Sequence, residues 1–218
     1  IISLCETDFE SLRIANDFKI EGFKTYTSTP CPRTGKVRLI VLIRKDIDGH
    51  CRPSEEDSEY IPAKWIHVKF PKARHYLVAG YYREWGSGPE FKSIDEQIHR
   101  LDNMDEQVEK MTRRYKGEVW IGGDFNLNTQ KFDDPTWKLK RVADRFKELC
   151  EKNSLRRLEA GPTFTYTKND EVRLSTLDYF ITTTENVDVS PRVQRLNVGF
   201  TDHDAIVVDL PLDRRPST

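Results

Sequence analysis

The chain has 218 residues, 37% of them hydrophobic, enough for one sizeable core, so residues 1–218 are expected to form a single domain. A formal net charge of −1 excludes the global basic field of a non-specific nucleic-acid binder, so any contact with DNA must be local. No apolar run approaches the length of a membrane span, and Ile1-Ile2-Ser3-Leu4-Cys5-Glu6 lacks the basic flank of a signal peptide.

The four cysteines, Cys5, Cys31, Cys51 and Cys150, fall in no CxxC or Cys/His spacing. A soluble protein in a reducing compartment, with neither a zinc site nor a disulfide framework, is the expectation. The chain opens on an apolar, strand-like segment without methionine, which reads as a piece of a longer protein.

Strands are predicted at Val37–Ile43, Trp65–Phe70, His75–Tyr82, Glu118–Gly122, Thr163–Thr167, Leu177–Thr182 and Ala205–Leu210, all rich in Val, Ile, Tyr and Phe. Between the first two, Lys45–Pro62 carries Asp46, Asp48, Glu55, Glu56, Asp57 and Glu59 and reads as a solvated loop. A helix is predicted from Ile94, Ile98, Leu101, Met104, Val108, Met111 and Tyr115, with Ser93 and Glu96 as its capping box and Gly117 at its end. A second should open at Asp134-Pro135 and bury Leu139, Val142, Phe146 and Leu149. Arg113, Arg114, Lys116, Lys138, Lys140, Arg141, Arg145 and Lys147 read as solvated helix faces. Intermixed strands and helices indicate an α/β sandwich, sheets inside and helices outside.

Four short segments carry residues suited to chemistry. Val119–Gly122 is an apolar strand that breaks at Gly122-Gly123 and then presents Asp124 and Asn126, two apart and so on one side of an extended chain. The glycines would admit a substrate backbone. Read alone, the segment is equally a Gly-Asp turn with a self-capping asparagine. Thr201-Asp202-His203-Asp204 sets an imidazole beside carboxylates that would raise its pKa. Asp178 lies inside an apolar strand, where an unpaired charge would cost several kcal/mol, so it needs a partner: an arginine such as Arg173, a backbone cap, a metal or a histidine. Glu6 follows Ile1–Cys5, and by itself reads as an N-cap or a surface acid. His50, His67, His75 and His99 have no such company.

Taken in order, Leu4-Cys5-Glu6-Thr7, Gly123-Asp124-Phe125-Asn126, Leu177-Asp178-Tyr179 and Thr201-Asp202-His203 resemble the motifs of the endonuclease, exonuclease and phosphatase superfamily. Thr201 stands where that family has serine and keeps the hydroxyl. The family's tyrosine motif looks like Gly80-Tyr81-Tyr82-Arg83-Glu84-Trp85, with Tyr82 the matching residue and Tyr81 the alternative. The family carries an asparagine on a strand before the glutamate motif; that strand would lie upstream of Ile1, so the domain is expected to lack its first strand here and the asparagine is not assigned.

The resemblance implies a DNase I-like, four-layer α/β sandwich, two packed mixed sheets flanked by helices, and hydrolysis of a phosphodiester by water. In that arrangement Glu6, Asp124 and Asp202 would hold Mg²⁺, or Mn²⁺; hard oxygen donors favour these ions. Asp124 would orient or deprotonate the water, Asn126 and Tyr82 would contact the phosphate or leaving group, and His203, held by Asp178, would donate to a non-bridging oxygen. The segment from Thr163 to Thr167, the turn Lys168–Glu171 and the return to Asp178 look like the hairpin of non-LTR retrotransposon endonucleases, which implies DNA contacts from Tyr166, Lys168 and Arg173. On that reading the domain nicks chromosomal DNA in the nucleus to prime a covalently linked reverse transcriptase. A phosphatase or abasic-site nuclease of the same fold, and an inactive binding domain, remain the alternatives.

Overall fold

The computed structural model describes residues 1–32, 34–55, 57, 61–84, 93–168, 170–185, 188–196 and 201–212. Trp85, Glu56 and Glu59, named above, and Asn169 of the turn Lys168–Glu171 lie outside them.

In chain order the elements are β1 (Ile2–Phe9), α1 (Leu12–Asp17), β2 (Phe23–Thr27), β3 (Val37–Arg44), α2 (Lys45–Asp48), β4 (Cys51–Pro53), β5 (Ala63–Lys69), β6 (His75–Tyr82), α3 (Ile94–Arg114), β7 (Glu118–Asp124), a 3₁₀ turn (Thr129–Lys131) and α4 (Lys140–Lys152). There follow β8 (Arg156–Leu158), β9 (Phe164–Lys168), β10 (Glu171–Ser175), β11 (Asp178–Thr182), β12 (Arg192–Gln194) and β13 (Ala205–Val207). A three-stranded antiparallel sheet, β1-β3-β2, faces a six-stranded mixed sheet, β4-β5-β6-β7-β11-β8. In the larger sheet β6 and β7 run parallel while the other pairs are antiparallel.

Alternation explains the layers. On β3, Leu39, Val41 and Ile43 join Ile66, Val68, Tyr76, Tyr82 and Trp120 between the sheets, while Ile40 and Leu42 turn outward to pack with Ala15 of α1. The far face of the larger sheet, with Leu77, Ala79, Tyr81, Ile121 and Tyr179, is covered by Leu101, Met104 and Val108 of α3 and Val142, Phe146 and Leu149 of α4. The order is helix, sheet, sheet, helix pair, the expected four-layer α/β sandwich.

Several boundaries differ from expectation. Asp134 does not start a helix; its Oδ1 accepts from the Thr136 amide (3.0 Å) and hydroxyl (2.6 Å), a self-contained turn, and α4 begins at Lys140. The short polar side chain satisfied a local donor instead of a helix end. The serine half of the α3 capping box forms, Ser93 accepting from the Glu96 amide, and the helix stops at Arg114 with Tyr115 as its cap, short of Gly117. Within Lys45–Pro62, α2 and β4 form, Cys51 and Ile61 are buried, and Asp57 pairs with Lys64 at 2.6 Å, so that stretch is not wholly solvated. Arg145 is no free helix face: it bonds Asp102 (2.7 Å) and Asp105 (2.8 Å), tying α4 to α3. The last strand ends at Val207 rather than Leu210.

Candidate active site

Strand register builds the centre of the site. Asp124 closes β7, with Tyr82 opposite it on the parallel strand β6 and Asp178 opposite it on the antiparallel strand β11. Alternation on β6 settles which tyrosine faces the site. Tyr82 looks between the sheets and its hydroxyl donates to Glu6 Oε1, whereas Tyr81 points to the helix side and packs on Phe125 at 4.9 Å.

Glu6 is presented by an irregularity. The β1–β3 register shifts between Cys5 and Phe9, and Glu6 and Asp8 have φ of 54° and 52°. A bulge with left-handed residues turns the glutamate toward Tyr82 at a cost of about 1 kcal/mol per residue. Glu6 thus sits within a half-exposed strand that is an edge of its sheet among the described residues.

The Gly122-Gly123 pair serves the fold rather than a substrate. A Cβ on Gly122 would overlap the Phe180 ring, and one on Gly123, whose φ is +150°, would overlap the Tyr81 carbonyl. Beyond them Asp124 is 3% exposed. Its Oδ1 accepts from the Asn126 amide at 2.8 Å and its Oδ2 from Asn126 Nδ2 at 2.9 Å. Both the turn and the convergent carboxylate and amide therefore exist, in one structure.

His203 arrives through the β9–β10 hairpin, a separate two-stranded unit. Phe164 bridges to His203, the Asp204 amide donates to the Thr163 carbonyl at 2.7 Å, and the rings of Phe164 and His203 lie 4.8 Å apart. His203 Nδ1 meets Asp178 Oδ2 at 2.8 Å. That is the partner Asp178 requires, and Arg173 is not: it bonds Glu171 at 3.2 Å. The Thr163 hydroxyl adds a 2.6 Å bond to the same carboxylate oxygen. Thr201 Oγ1 accepts from the His203 amide at 3.1 Å, so threonine does the turn-forming work of a serine there.

Electrostatics follow from this packing. Burial and the neighbouring Asp178 carboxylate push the Asp124 pKa up to about 8. Burial alone would lower His203, but the hydrogen bond and charge of Asp178, with Asp124 and Asp202 behind it, hold it up to about 9. A carboxyl poised near neutrality beside an imidazolium suits proton transfer to and from a reacting oxygen.

The ligand atoms of Asp124, Asp178 and His203 lie within 4.8 Å of one another. Two carboxylates this close, one with its proton held to high pH, suit a divalent cation that would relieve their repulsion. Glu6 and Asp202 do not join that group among the described residues; Asp202 is exposed, and its carbonyl accepts from the Thr165 amide at 3.4 Å. The expected metal set of Glu6, Asp124 and Asp202 is therefore not what the fold gathers most tightly. The hairpin register sets Tyr166, Lys168 and Arg173 on one face, opposite Arg173, Glu171 and Tyr166 respectively, the face that carries Phe164 toward His203.

Three residues escaped the sequence reading. Arg38 donates to Tyr82 Oη at 3.0 Å and to Asp8 at 2.6 Å. Its signal was the one that exposed Asp178, a charge inside an apolar strand. Arg83 bonds the backbone of the Asp124–Asn126 turn, and Thr163 holds Asp178; neither carries a pattern of its own.

Comparison with known proteins agrees with the geometry. The family described as Endonuclease-reverse transcriptase matches residues 77–207. No curated protein sequence matches the chain. Among solved structures, the endonuclease domain of TRAS1, a telomere-specific non-LTR retrotransposon, superposes with a TM-score of 0.61 at 18% identity, covering 89% of this chain and 83% of that one. The AP endonuclease LMAP from Leishmania major gives 0.65 at 14%, covering 94% and 76%. The catalytic domain of Xenopus laevis APE2 gives 0.65 at 13%, covering 99% and 85%. At these identities the likeness establishes a DNase I-like fold.

Proposed function

Because the chain belongs to the Endonuclease-reverse transcriptase family, within the endonuclease/exonuclease/phosphatase superfamily, we propose that it is a divalent-metal-dependent DNA endonuclease that hydrolyses one strand of a duplex. The observation that carries this reading is the placement of Asp124 between Tyr82 and Asp178 on neighbouring strands, with His203 held on Asp178.

Mg²⁺ or Mn²⁺, held by Asp124 and Asp178 with Glu6 at the rim, would supply Lewis acidity at the phosphate. The remaining work belongs to the chain. Asp124 orients the attacking water and takes its proton. The imidazolium of His203 donates to a phosphoryl oxygen as negative charge grows there, Asp178 keeps the ring oriented and charged, and Asn126 Nδ2 holds the Asp124 carboxylate in place. Tyr82, between Arg38 and Glu6, borders the leaving-group side. The face of the hairpin with Tyr166, Lys168 and Arg173 contacts DNA beyond the scissile bond.

We further propose that this domain nicks chromosomal DNA in the nucleus to leave a 3′-hydroxyl that primes a linked reverse transcriptase; of this, the family description bears on the pairing of endonuclease and reverse transcriptase alone. The test is incubation with supercoiled plasmid, an abasic duplex and a panel of phosphate monoesters, each with Mg²⁺ or with a chelator. Metal-dependent nicking of the plasmid, lost in His203→Ala with the fold retained, is expected. Cleavage confined to abasic sites or to monoesters would replace the proposal, and full nicking by His203→Ala would overturn the assigned site.

A further inference from the structure

Arg83 follows Tyr82 at the end of β6 and is only 1% exposed. Charged side chains lie this deep when they are paired, because leaving water costs several kcal/mol. Burial has drawn its pKa down to about 10.

Among the described residues, four of its hydrogen bonds converge on one short turn. Nη1 donates to the Phe125 and Asn126 carbonyls, at 3.1 Å each. The Arg83 amide donates to the Asp124 carbonyl at 2.8 Å, and the Arg83 carbonyl accepts from Asn126 Nδ2 at 2.9 Å. One residue is thus bonded to each of Asp124, Phe125 and Asn126. Asn126 needs such support: its φ of 49° lies in the left-handed region, and only in that turn do its amide and Nδ2 both reach the Asp124 carboxylate.

We propose that Arg83 is a positioning residue for the hydrolysis, holding the Asp124–Asn126 turn so that the Asp124 carboxylate, fixed by Asn126, stays aimed at the reacting phosphate. It touches neither substrate nor reacting atoms. The proposal rests on the nuclease reading for its kinetic consequence, and on geometry alone for its structural one. A residue that merely stabilised the fold would lower the unfolding midpoint and leave the turnover of folded protein unchanged.

The experiment compares wild type with Arg83→Met, which keeps the aliphatic length without donors, and Arg83→Lys, whose ammonium can bridge both carbonyls. Three quantities are read at a temperature where each is folded: kcat and KM for plasmid nicking, and amide hydrogen exchange of Asn126 in metal-free protein. A misplaced reacting group costs about a hundredfold, so kcat should fall by about that factor in Arg83→Met with KM within about twofold, and largely return in Arg83→Lys. Asn126 should lose exchange protection in Arg83→Met while Trp120 and Ile121 in β7 keep theirs.

Wild-type kcat in Arg83→Met, or protection lost equally along β7, would overturn the proposal. If the wild type nicks nothing, the nuclease reading fails alone, and Asn126 exchange still decides the role of Arg83: unchanged protection overturns it. Should Arg83→Met not fold, Arg83→Gln, which keeps one donor group, carries the same comparison.

Discussion

His203 Nδ1 lies 2.8 Å from Asp178 Oδ2, in a site where burial opposes the imidazolium and the carboxylate outweighs burial. Removing only the charge, in Asp178→Asn, leaves the opposing effect in place. The His203 pKa in metal-free protein, followed by NMR of the ring proton, should then fall from about 9 toward its ordinary 6.5, with Asp124 and Asp202 still favouring the charged ring. The sign for stability follows. A histidine raised in the folded state stabilises fully below pH 6.5, and that contribution, on the order of 3 kcal/mol, is lost as pH rises through about 9. An unchanged titration in Asp178→Asn would mean that the pair does not control the ring.

Metal binding should show itself without catalysis. A ligand at about a hundred times its Kd stabilises by about 2.7 kcal/mol, which moves the melting point of a domain of this size by roughly 5–10 °C. Asp124 holds its proton up to about pH 8, so the cation competes with that proton at lower pH. The gain in Tm on adding Mn²⁺ should therefore grow from pH 6 to pH 9, and be largely absent in Asp124→Ala. A gain of equal size in that variant would place the ion elsewhere.

Gly123→Ala should not be tolerated. The new Cβ would meet the backbone carbonyl of Tyr81, and a φ of +150° is foreign to alanine. The collision falls on the parallel pair that aligns Tyr82 with Asp124. The expected result is a loss of about 3 kcal/mol or more in urea unfolding, or no soluble protein. Normal stability would show that the β6–β7 register has slack.

Hairpin changes should act on binding and not on turnover. Lys168→Ala and Tyr166→Ala leave the Asp178–His203 pair untouched, so kcat should hold. DNA affinity should fall severalfold, and for Lys168→Ala the slope of log K against log salt should shrink by about one. Filter binding across a salt series reads this directly. Intact affinity in both variants would remove the hairpin from the DNA path.

Continuous apolar runs marked the central strands in advance, because a strand buried on both faces is apolar at nearly every position: His75–Tyr82 matches its predicted ends, and Glu118–Gly122 needed only two more residues. Asp124, Asn126, Asp178 and His203 were legible for a related reason, since polar groups beside apolar strands demand partners. Helix starts were less so. Asp134 reads as a cap until its oxygen is seen on Thr136, a choice between two local donors that pattern cannot rank.

What tertiary structure alone decided is company. Tyr82 and Tyr81 are neighbours of one chemistry, and only the packing of β6 between a sheet and a helix layer sends one to Glu6 and the other to Phe125. Arg38 within β3, Arg83 just after β6 and Thr163 just before β9 join the site because backbone register sets which side chains share a face and a height, and register depends on pairings between distant segments. The sequence carried the chemical groups; the distances among them came from how the sheets closed.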